Sequence, residues 1–257
     1  MAEVVYPPVI ALGRTFFRYL GLRFDLQGTE NVPASGGAVM AINHVGYLDF
    51  TFAGLAALPS KRLVRFMAKD SVFRHRVSGP LMRGMKHIPV DREAGAASFR
   101  AALTALKAGE IVGVFPEATI SQSFELKDFK SGTVRMARSA KVPILPTVIW
   151  GSQRVWTKGR KRDFGRHKYA LTVAIGEPMD VPKGVDPEVI NDELRRRMTE
   201  LLHQVQDSYP DKPRDEDDKW WLPARLGGTA PTLEVATKLD ADEADERARK
   251  RAGQAAD

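Results

Sequence analysis

Cysteine is absent from the 257 residues of this chain. Its absence excludes disulfide bonds, zinc–thiolate centres, iron–sulfur clusters and thiol nucleophiles, and it permits a reducing compartment. Long apolar runs are missing too: the longest early uncharged run is residues 4–13, whereas a membrane-spanning helix needs about 20 residues. The start of the chain also lacks the basic segment and apolar core of a secretory signal. We therefore expect a chain without a secretory signal that does not cross a bilayer.

Acidic charge is scarce in the first four fifths of the chain. The formal net charge is +7. Residues 211–257 hold 9 Lys/Arg and 12 Asp/Glu, which leaves 30 against 20, or +10, on residues 1–210. A basic body indicates an anionic partner such as a membrane surface, a phosphorylated substrate, coenzyme A or nucleic acid. Because no nucleic-acid-binding motif accompanies the charge, we expect no nucleic acid partner.

Strand and helix patterns alternate through most of the chain. Short apolar runs predict buried strands, and apolar residues at helical spacing predict helices between them. The predicted strands lie near residues 23–33, 37–43, 63–69, 87–91, 111–116, 142–150 and 170–178. The clearest predicted helices span residues 97–110, 130–140 and 187–206. This alternation predicts a single α/β domain over residues 25–210, with a mixed, mostly parallel sheet flanked by helices.

The amino-terminal segment, residues 1–24, contains an amphipathic pattern. Apolar residues recur at helical spacing, Pro7 and Pro8 suit a helix start, and Arg14 and Arg18 would lie along one side. One interpretation is a helix docked on the core. The other is an interfacial helix whose basic residues face lipid headgroups.

The carboxy-terminal segment, residues 211–257, differs in composition from the rest. It is highly charged and interrupted by proline and glycine, which predicts an extension with little core. Trp220, Trp221 and Leu222 are its exception. We expect them either to dock on the body or to touch a membrane.

The stretch NHVGYLD places His44 five residues before Asp49. A neutral imidazole is the usual general base near pH 7, and it works best when a carboxylate holds its other ring nitrogen. In a regular helix the two side chains would diverge by about 140°. They can meet if His44 lies in a strand-to-helix turn and Asp49 in the first helical turn, which Gly46 allows. For an isolated pair the commoner outcome is a helix cap beside a satisfied core histidine.

Three further segments follow in order, each at the end of a predicted strand. GMKHIPVDR (84–92) ends in Asp91 and Arg92, FPEATI (115–120) contains Glu117, and VPILPTVI (142–149) is a strand bracketed by prolines. Ligands of α/β sheets usually bind where the strands end. Four such segments in sequence are more specific than the His/Asp pair alone.

Together these four segments resemble the motifs of the 1-acylglycerol-3-phosphate acyltransferase family, shared with glycerol-3-phosphate acyltransferases. The family motifs are Asn-His-x-x-x-x-Asp, a Gly-x-x-Phe-Ile-x-Arg-like block, Phe-Pro-Glu-Gly-Thr-Arg and Val-Pro-x-x-Pro-Val. Their order and separations agree over roughly residues 25–180. The resemblance implies acyl transfer from acyl-CoA or acyl carrier protein to the hydroxyl of lysophosphatidic acid in phospholipid biosynthesis. It implies no cofactor or metal, and a peripheral, monotopic protein at the cytoplasmic face of a membrane.

The resemblance also implies roles for individual residues. His44 would take the proton of the acceptor hydroxyl and Asp49 would orient His44, with no acyl-enzyme intermediate. Arg92 and Lys69 would contact the acceptor phosphate. Glu117 would position the acceptor or brace the site. Two more substrate-binding candidates lie close to it in sequence, Thr119 and Lys130.

The third motif departs from the family pattern, because Ala118 and Ile120 stand where Gly and Arg are usual. The change removes a bidentate phosphate contact. Either Lys127, Lys130 or Arg92 supplies that charge, or the acceptor phosphate sits differently, as in a lysophospholipid with another headgroup.

Other functions are also compatible with the sequence. Within the same reaction class, the acceptor could be glycerol 3-phosphate or another lysophospholipid. A thioesterase or lipase could use the same histidine on water, although no Gly-x-Ser-x-Gly motif supports a serine hydrolase. A non-catalytic lipid-binding protein is the third class.

The basic segment 159–168 is either a solvated hairpin tip or a contact with lipid headgroups. In the second case each basic residue near an anionic surface contributes about 1 kcal/mol to binding.

Overall fold

The computed structural model describes residues 3–91 and 95–254. Its seven strands are β1 (Arg23–Gln27), β2 (Ala38–Ile42), β3 (Val64–Lys69), β4 (Ile88–Val90), β5 (Ile111–Val114), β6 (Ile144–Trp150) and β7 (Ala170–Ile175). Its α-helices are α1 (Tyr6–Leu20), α2 (Asp49–Ala56), α3 (Asp70–Arg74), α4 (Ser78–Gly84), α5 (Gly95–Lys107), α6 (Gly132–Ala140), α7 (Pro187–Asp207) and α8 (Leu233–Gln254).

The strands form one sheet in the order β1-β7-β6-β2-β5-β3-β4. Strands β2 to β6 run parallel to one another. Strand β7 pairs antiparallel with β6, and β1 pairs parallel with β7. This is the mixed, mostly parallel α/β sheet that the sequence predicts. Strand β2 lies in the middle, between β5 and β6, so whatever follows it lies at the centre of the sheet's edge.

Both faces of the sheet are covered, which explains why its central strands are continuous apolar runs. All residues of β2, β5, β6 and β7 are buried. On one face the side chains pack against α5, α6 and α7, and on the other against α1 and α2. Fully burying a large apolar side chain such as Phe52 contributes about 1.5–3 kcal/mol to stability.

Helix α1 confirms the predicted amino-terminal helix and docks on the core through one face. Pro7 and Pro8 occupy its first turn, and Tyr6, Phe17 and Leu20 are buried. Its other face stays exposed. No helix in the described parts of the chain has an apolar stretch long enough to cross a membrane.

The carboxy-terminal segment docks on the body through the apolar residues that stand out from its charged composition. Trp221 is fully buried. Its ring lies 5.7 Å from that of Tyr209, and the Arg154 guanidinium lies 4.3 Å from its centre. Trp220 is half-buried, and the guanidinium of Arg160 lies over its ring. Both tryptophans therefore dock on the body. Beyond them, the structure also contains α8, which no apolar pattern indicated.

Candidate active site

The turn between β2 and α2 brings His44 and Asp49 together. His44 follows the end of β2, and Asp49 is the first residue of α2. The Nδ1 atom of His44 lies 3.0 Å from Oδ2 of Asp49. This is the strand-to-helix arrangement that the five-residue spacing requires. Because the carboxyl ends of parallel strands meet at one edge, the turn lies where α/β proteins usually bind ligands.

The carboxylate of Asp49 is fully buried and has a complete set of hydrogen bonds. Its Oδ2 accepts the backbone N–H groups of Val45 and Gly46, both at 2.8 Å. Its Oδ1 accepts the hydroxyl of Ser152 at 2.5 Å. A side chain at Gly46 would place its Cβ 2.9 Å from that hydroxyl oxygen. The carboxylate therefore holds Nδ1 of His44 as a donor, which leaves Nε2 able to accept a proton.

Glu117 ties the loop after β5 to the same turn. Its Oε1 accepts the backbone N–H of His44 at 2.8 Å, and its Oε2 accepts that of Lys127 at 3.0 Å. Burial raises the pKa of Glu117 to about 7, and the two N–H bonds oppose part of that rise. The ring of Phe115 stacks on the imidazole with a centroid distance of 4.2 Å. Of its two expected roles, Glu117 has the contacts of a brace.

Three polar residues with no role predicted from the sequence also fix the turn. Asn43 accepts the N–H of Ile149 at 2.7 Å and donates to its carbonyl at 3.0 Å, which joins the end of β2 to β6. Thr157 donates to the carbonyl of Val45 at 2.7 Å. Ser152, which bonds Asp49, is the third. Only the Asn of the first motif gave a sequence signal, because Ser152 and Thr157 lie in none of the four motifs.

The other predicted substrate-binding residues do not all join this cluster. Lys69 is exposed at the end of β3, and the side chain of Lys130 is exposed, although its backbone N–H donates to Pro116. Thr119, two residues after the bracing glutamate, is half-buried. Arg92 lies outside the described residues. The structure therefore brings together His44, Asp49 and Glu117, and Thr119 lies in the loop that carries Glu117.

The departures in the third motif have a local structural setting. Ala118 adopts a left-handed backbone with φ of 61°, and Ile120 is buried. Positive charge nearby comes from Lys127, one of the expected alternatives, and from Lys158, which belongs to none of the sequence motifs. Both ammonium groups contact Asp240 on α8. The only sequence signal for Lys158 is that it directly precedes the basic segment 159–168.

Metal ligands are not grouped in the described residues. Within residues 3–91 and 95–254, no cluster of three or more His, Asp or Glu side chains is arranged to hold a metal ion. The chemistry that the site itself offers is proton transfer at Nε2 of His44, with a buried carboxylate to stabilise the imidazolium.

Comparison with known proteins relates this geometry to acyltransferases. A family model described as "Acyltransferase" matches residues 23–150. A 1-acyl-sn-glycerol-3-phosphate acyltransferase of Bacillus subtilis is 31% identical over 186 residues, which are 68% of this chain and 86% of that protein. An uncharacterised protein of Mycobacterium leprae is 30% identical over 197 residues, 69% of this chain, and the chain spans 51% of that relative.

A solved structure has the same fold. The crystal structure of the 1-acyl-sn-glycerophosphate acyltransferase PlsC from Thermotoga maritima matches with a TM-score of 0.67 and 21% identity. The match covers 79% of this chain and 80% of that one.

Proposed function

Because the chain belongs to the acyltransferase family that includes the 1-acyl-sn-glycerol-3-phosphate acyltransferases, we propose that it acylates the free hydroxyl of lysophosphatidic acid. The acyl donor is a thioester, acyl-CoA or acyl carrier protein. Membership of this family means that the chain is an enzyme similar to the 1-acyl-sn-glycerol-3-phosphate acyltransferases. The observation that carries the proposal is the 3.0 Å contact between His44 and the fully buried Asp49.

The proposed mechanism is general-base catalysis without an acyl-enzyme. Nε2 of His44 takes the proton of the acceptor hydroxyl while the hydroxyl oxygen attacks the thioester carbonyl. The carbon–oxygen bond forms, the carbon–sulfur bond breaks, and the proton passes from His44 to the departing thiolate. Asp49 stabilises the imidazolium between these steps.

A panel of acceptors tests the proposed reaction. Purified protein with labelled acyl-CoA should esterify lysophosphatidic acid at least about tenfold faster than lysophosphatidylcholine or glycerol 3-phosphate, because a site built for one acceptor rejects mismatched groups. Acyl carrier protein thioesters are tested in parallel as donors. Release of free fatty acid alone would indicate a thioesterase, and the absence of any turnover would indicate a lipid-binding protein. Either outcome contradicts the proposal.

The outer face of α1 supports a peripheral, monotopic position on a membrane. Leu12 and Tyr19, seven residues apart and therefore on one side of α1, are 71% and 68% exposed, and Val4, just before the helix, is 77% exposed. Arg14 and Arg18 are also exposed on α1. Apolar side chains flanked by arginine are typical of helices that lie in the headgroup region.

The basic segment 159–168 lies beside the same helix. The ring of its Phe164 meets the rings of Phe16 on α1 and of Trp156, at centroid distances of 5.3 and 6.1 Å. Trp156 in turn lies 4.7 Å from Tyr47 of the active-site turn. One surface therefore carries exposed apolar residues, basic residues and the approach to the site. We infer that it faces anionic lipid, where each basic residue contributes about 1 kcal/mol.

Vesicle binding tests this orientation. The double variant Leu12→Glu/Tyr19→Glu should bind phosphatidylglycerol-containing vesicles at least about tenfold more weakly in sedimentation, because two apolar anchors are replaced by charges that anionic lipid repels. The control is Val185→Glu/Val189→Glu, which adds the same charges at exposed valines at and before the start of α7. Equal binding of the two double variants would contradict the proposal.

A further inference from the structure

Two lysines near the active site point at one carboxylate of α8. The Nζ atom of Lys127 donates to Oδ2 of Asp240 at 2.7 Å, and Lys158 donates to Oδ1. The hydroxyl of Thr119 also donates to Asp240 at 3.1 Å and accepts a hydrogen bond from Lys127. Glu243, one turn further along α8, lies 3.0 Å from Lys158. Two ammonium groups and a hydroxyl thus surround the carboxylate of Asp240, and one of the ammonium groups also contacts Glu243.

Both lysines are anchored to the catalytic turn. The backbone N–H of Lys127 donates to Glu117, whose other oxygen accepts the N–H of His44. Lys158 directly follows Thr157, whose hydroxyl donates to the carbonyl of the residue after His44. The backbones of both lysines are therefore fixed to the turn that carries His44.

The lysines are mostly covered, with side chains 10% and 13% exposed. Burial alone would raise the pKa of Asp240, but hydrogen bonds from Lys127 and Lys158 outweigh it and hold that pKa below its usual value. Helix α8 has little else to hold it: among the residues of α8 whose burial is described, Ala236 is the one that is buried. The contact of α8 with the body here is chiefly electrostatic, and an anion can compete with it.

We propose that Lys127, Lys158 and Thr119 bind the phosphate monoester of the acceptor, and that Asp240 occupies this site until the acceptor displaces it. This inference deepens the proposed function and rests on it for the identity of the acceptor. In the family motif an arginine supplies positive charge at the position where this chain has the buried Ile120. Here the two lysines supply that charge instead. A phosphate monoester carries nearly two negative charges near pH 7 and three acceptor oxygens, so it fits two ammonium groups and a hydroxyl better than one carboxylate does.

Binding of glycerol 3-phosphate, measured by calorimetry on the full chain without an acyl donor, tests the site independently of turnover. Asp240→Asn should bind glycerol 3-phosphate about fivefold more tightly than the unmodified chain, because the competing carboxylate is gone. Lys158→Gln should bind it at least about tenfold more weakly. The control is Asp242→Asn, which makes the same charge change at an exposed position of α8 and should leave the affinity unchanged. Inorganic phosphate, run in parallel, should follow the same order.

Hydrogen exchange and kinetics separate this role from a purely structural one. Saturating glycerol 3-phosphate should speed amide exchange across residues 233–246 of the unmodified chain, because α8 loses its main contact. In turnover, Asp240→Asn should lower the acceptor KM and leave kcat and the acyl-CoA KM unchanged.

Three results would overturn the inference. The first is equal affinity of Asp240→Asn and Asp242→Asn for glycerol 3-phosphate. The second is faster amide hydrogen exchange of α8 in Asp240→Asn without tighter binding of glycerol 3-phosphate, which would mean that the contact only holds α8 on the body. The third is a change in the acyl-CoA KM alone, which would assign the lysines to a phosphate of the donor. If the chain binds the probe as expected but transfers no acyl group, the proposed function fails and the anion site stands.

Discussion

Replacing His44 by alanine is expected to lower acyl transfer by about 10²–10⁴-fold, the range that a positioned general base contributes. The fold should be kept, because the structural contacts of this residue are made by its backbone. Its N–H donates to Glu117, and its carbonyl accepts the N–H of Ser121. The lost side-chain contacts are the stack on Phe115 and one of the four hydrogen bonds to Asp49.

The matched control is His203→Ala. That histidine also contacts a carboxylate, Glu125, at 2.8 Å, but it lies on α7. Initial rates at saturating substrate, together with thermal unfolding curves, should show both variants folded and only His44→Ala inactive. Activity in His44→Ala above about a tenth of normal would rule out its role as the general base.

The sheet and the helices that cover it were predictable because their patterns are local. Strand β2 is an uninterrupted apolar run, as expected for a strand buried on both faces, and α7 has apolar residues at helical spacing along its whole length. The meeting of His44 and Asp49 was predictable for the same reason: a strand, a glycine-containing turn and a helix start lie within a dozen residues.

The rest of the site depends on contacts between distant parts of the chain. Ser152 reaches Asp49 across 103 residues, and Asp240 reaches Lys127 across 113. Nothing near Ser152 or Asp240 in sequence marks those contacts. Helix α8 was missed because ion pairs fix it on the body and no apolar stripe faces the core, so its composition resembles that of an unfolded tail. In the carboxy-terminal segment, Trp220, Trp221 and Leu222 were the residues whose chemistry indicated either docking on the body or contact with a membrane.

Replacing Asp49 by asparagine is expected to reduce acyl transfer by about 10²–10⁴-fold with little loss of stability. The amide oxygen can occupy the Oδ2 position and accept the N–H groups of Val45 and Gly46, while the amide nitrogen donates to the Ser152 hydroxyl oxygen. The groups that donate to Oδ2 then keep their acceptor, and only the hydroxyl hydrogen of Ser152 loses its acceptor, so the free energy of unfolding should fall by about 1 kcal/mol. What is lost is the negative charge that stabilises the imidazolium.

Asp49→Ala provides the contrast, because it removes the acceptor as well as the charge. The two buried N–H groups would then lack partners at about 1–3 kcal/mol each, and urea denaturation should show a correspondingly lower free energy of unfolding. Asp49→Asn should therefore be stable and inactive, and Asp49→Ala both unstable and inactive. If Asp49 acts only by orienting and stabilising His44, Asp49→Asn should cause almost no further loss in a His44→Ala background, because residues that act as a unit are not additive. A further loss as large as that in the unmodified chain would show that Asp49 contributes to catalysis by a route that does not pass through His44.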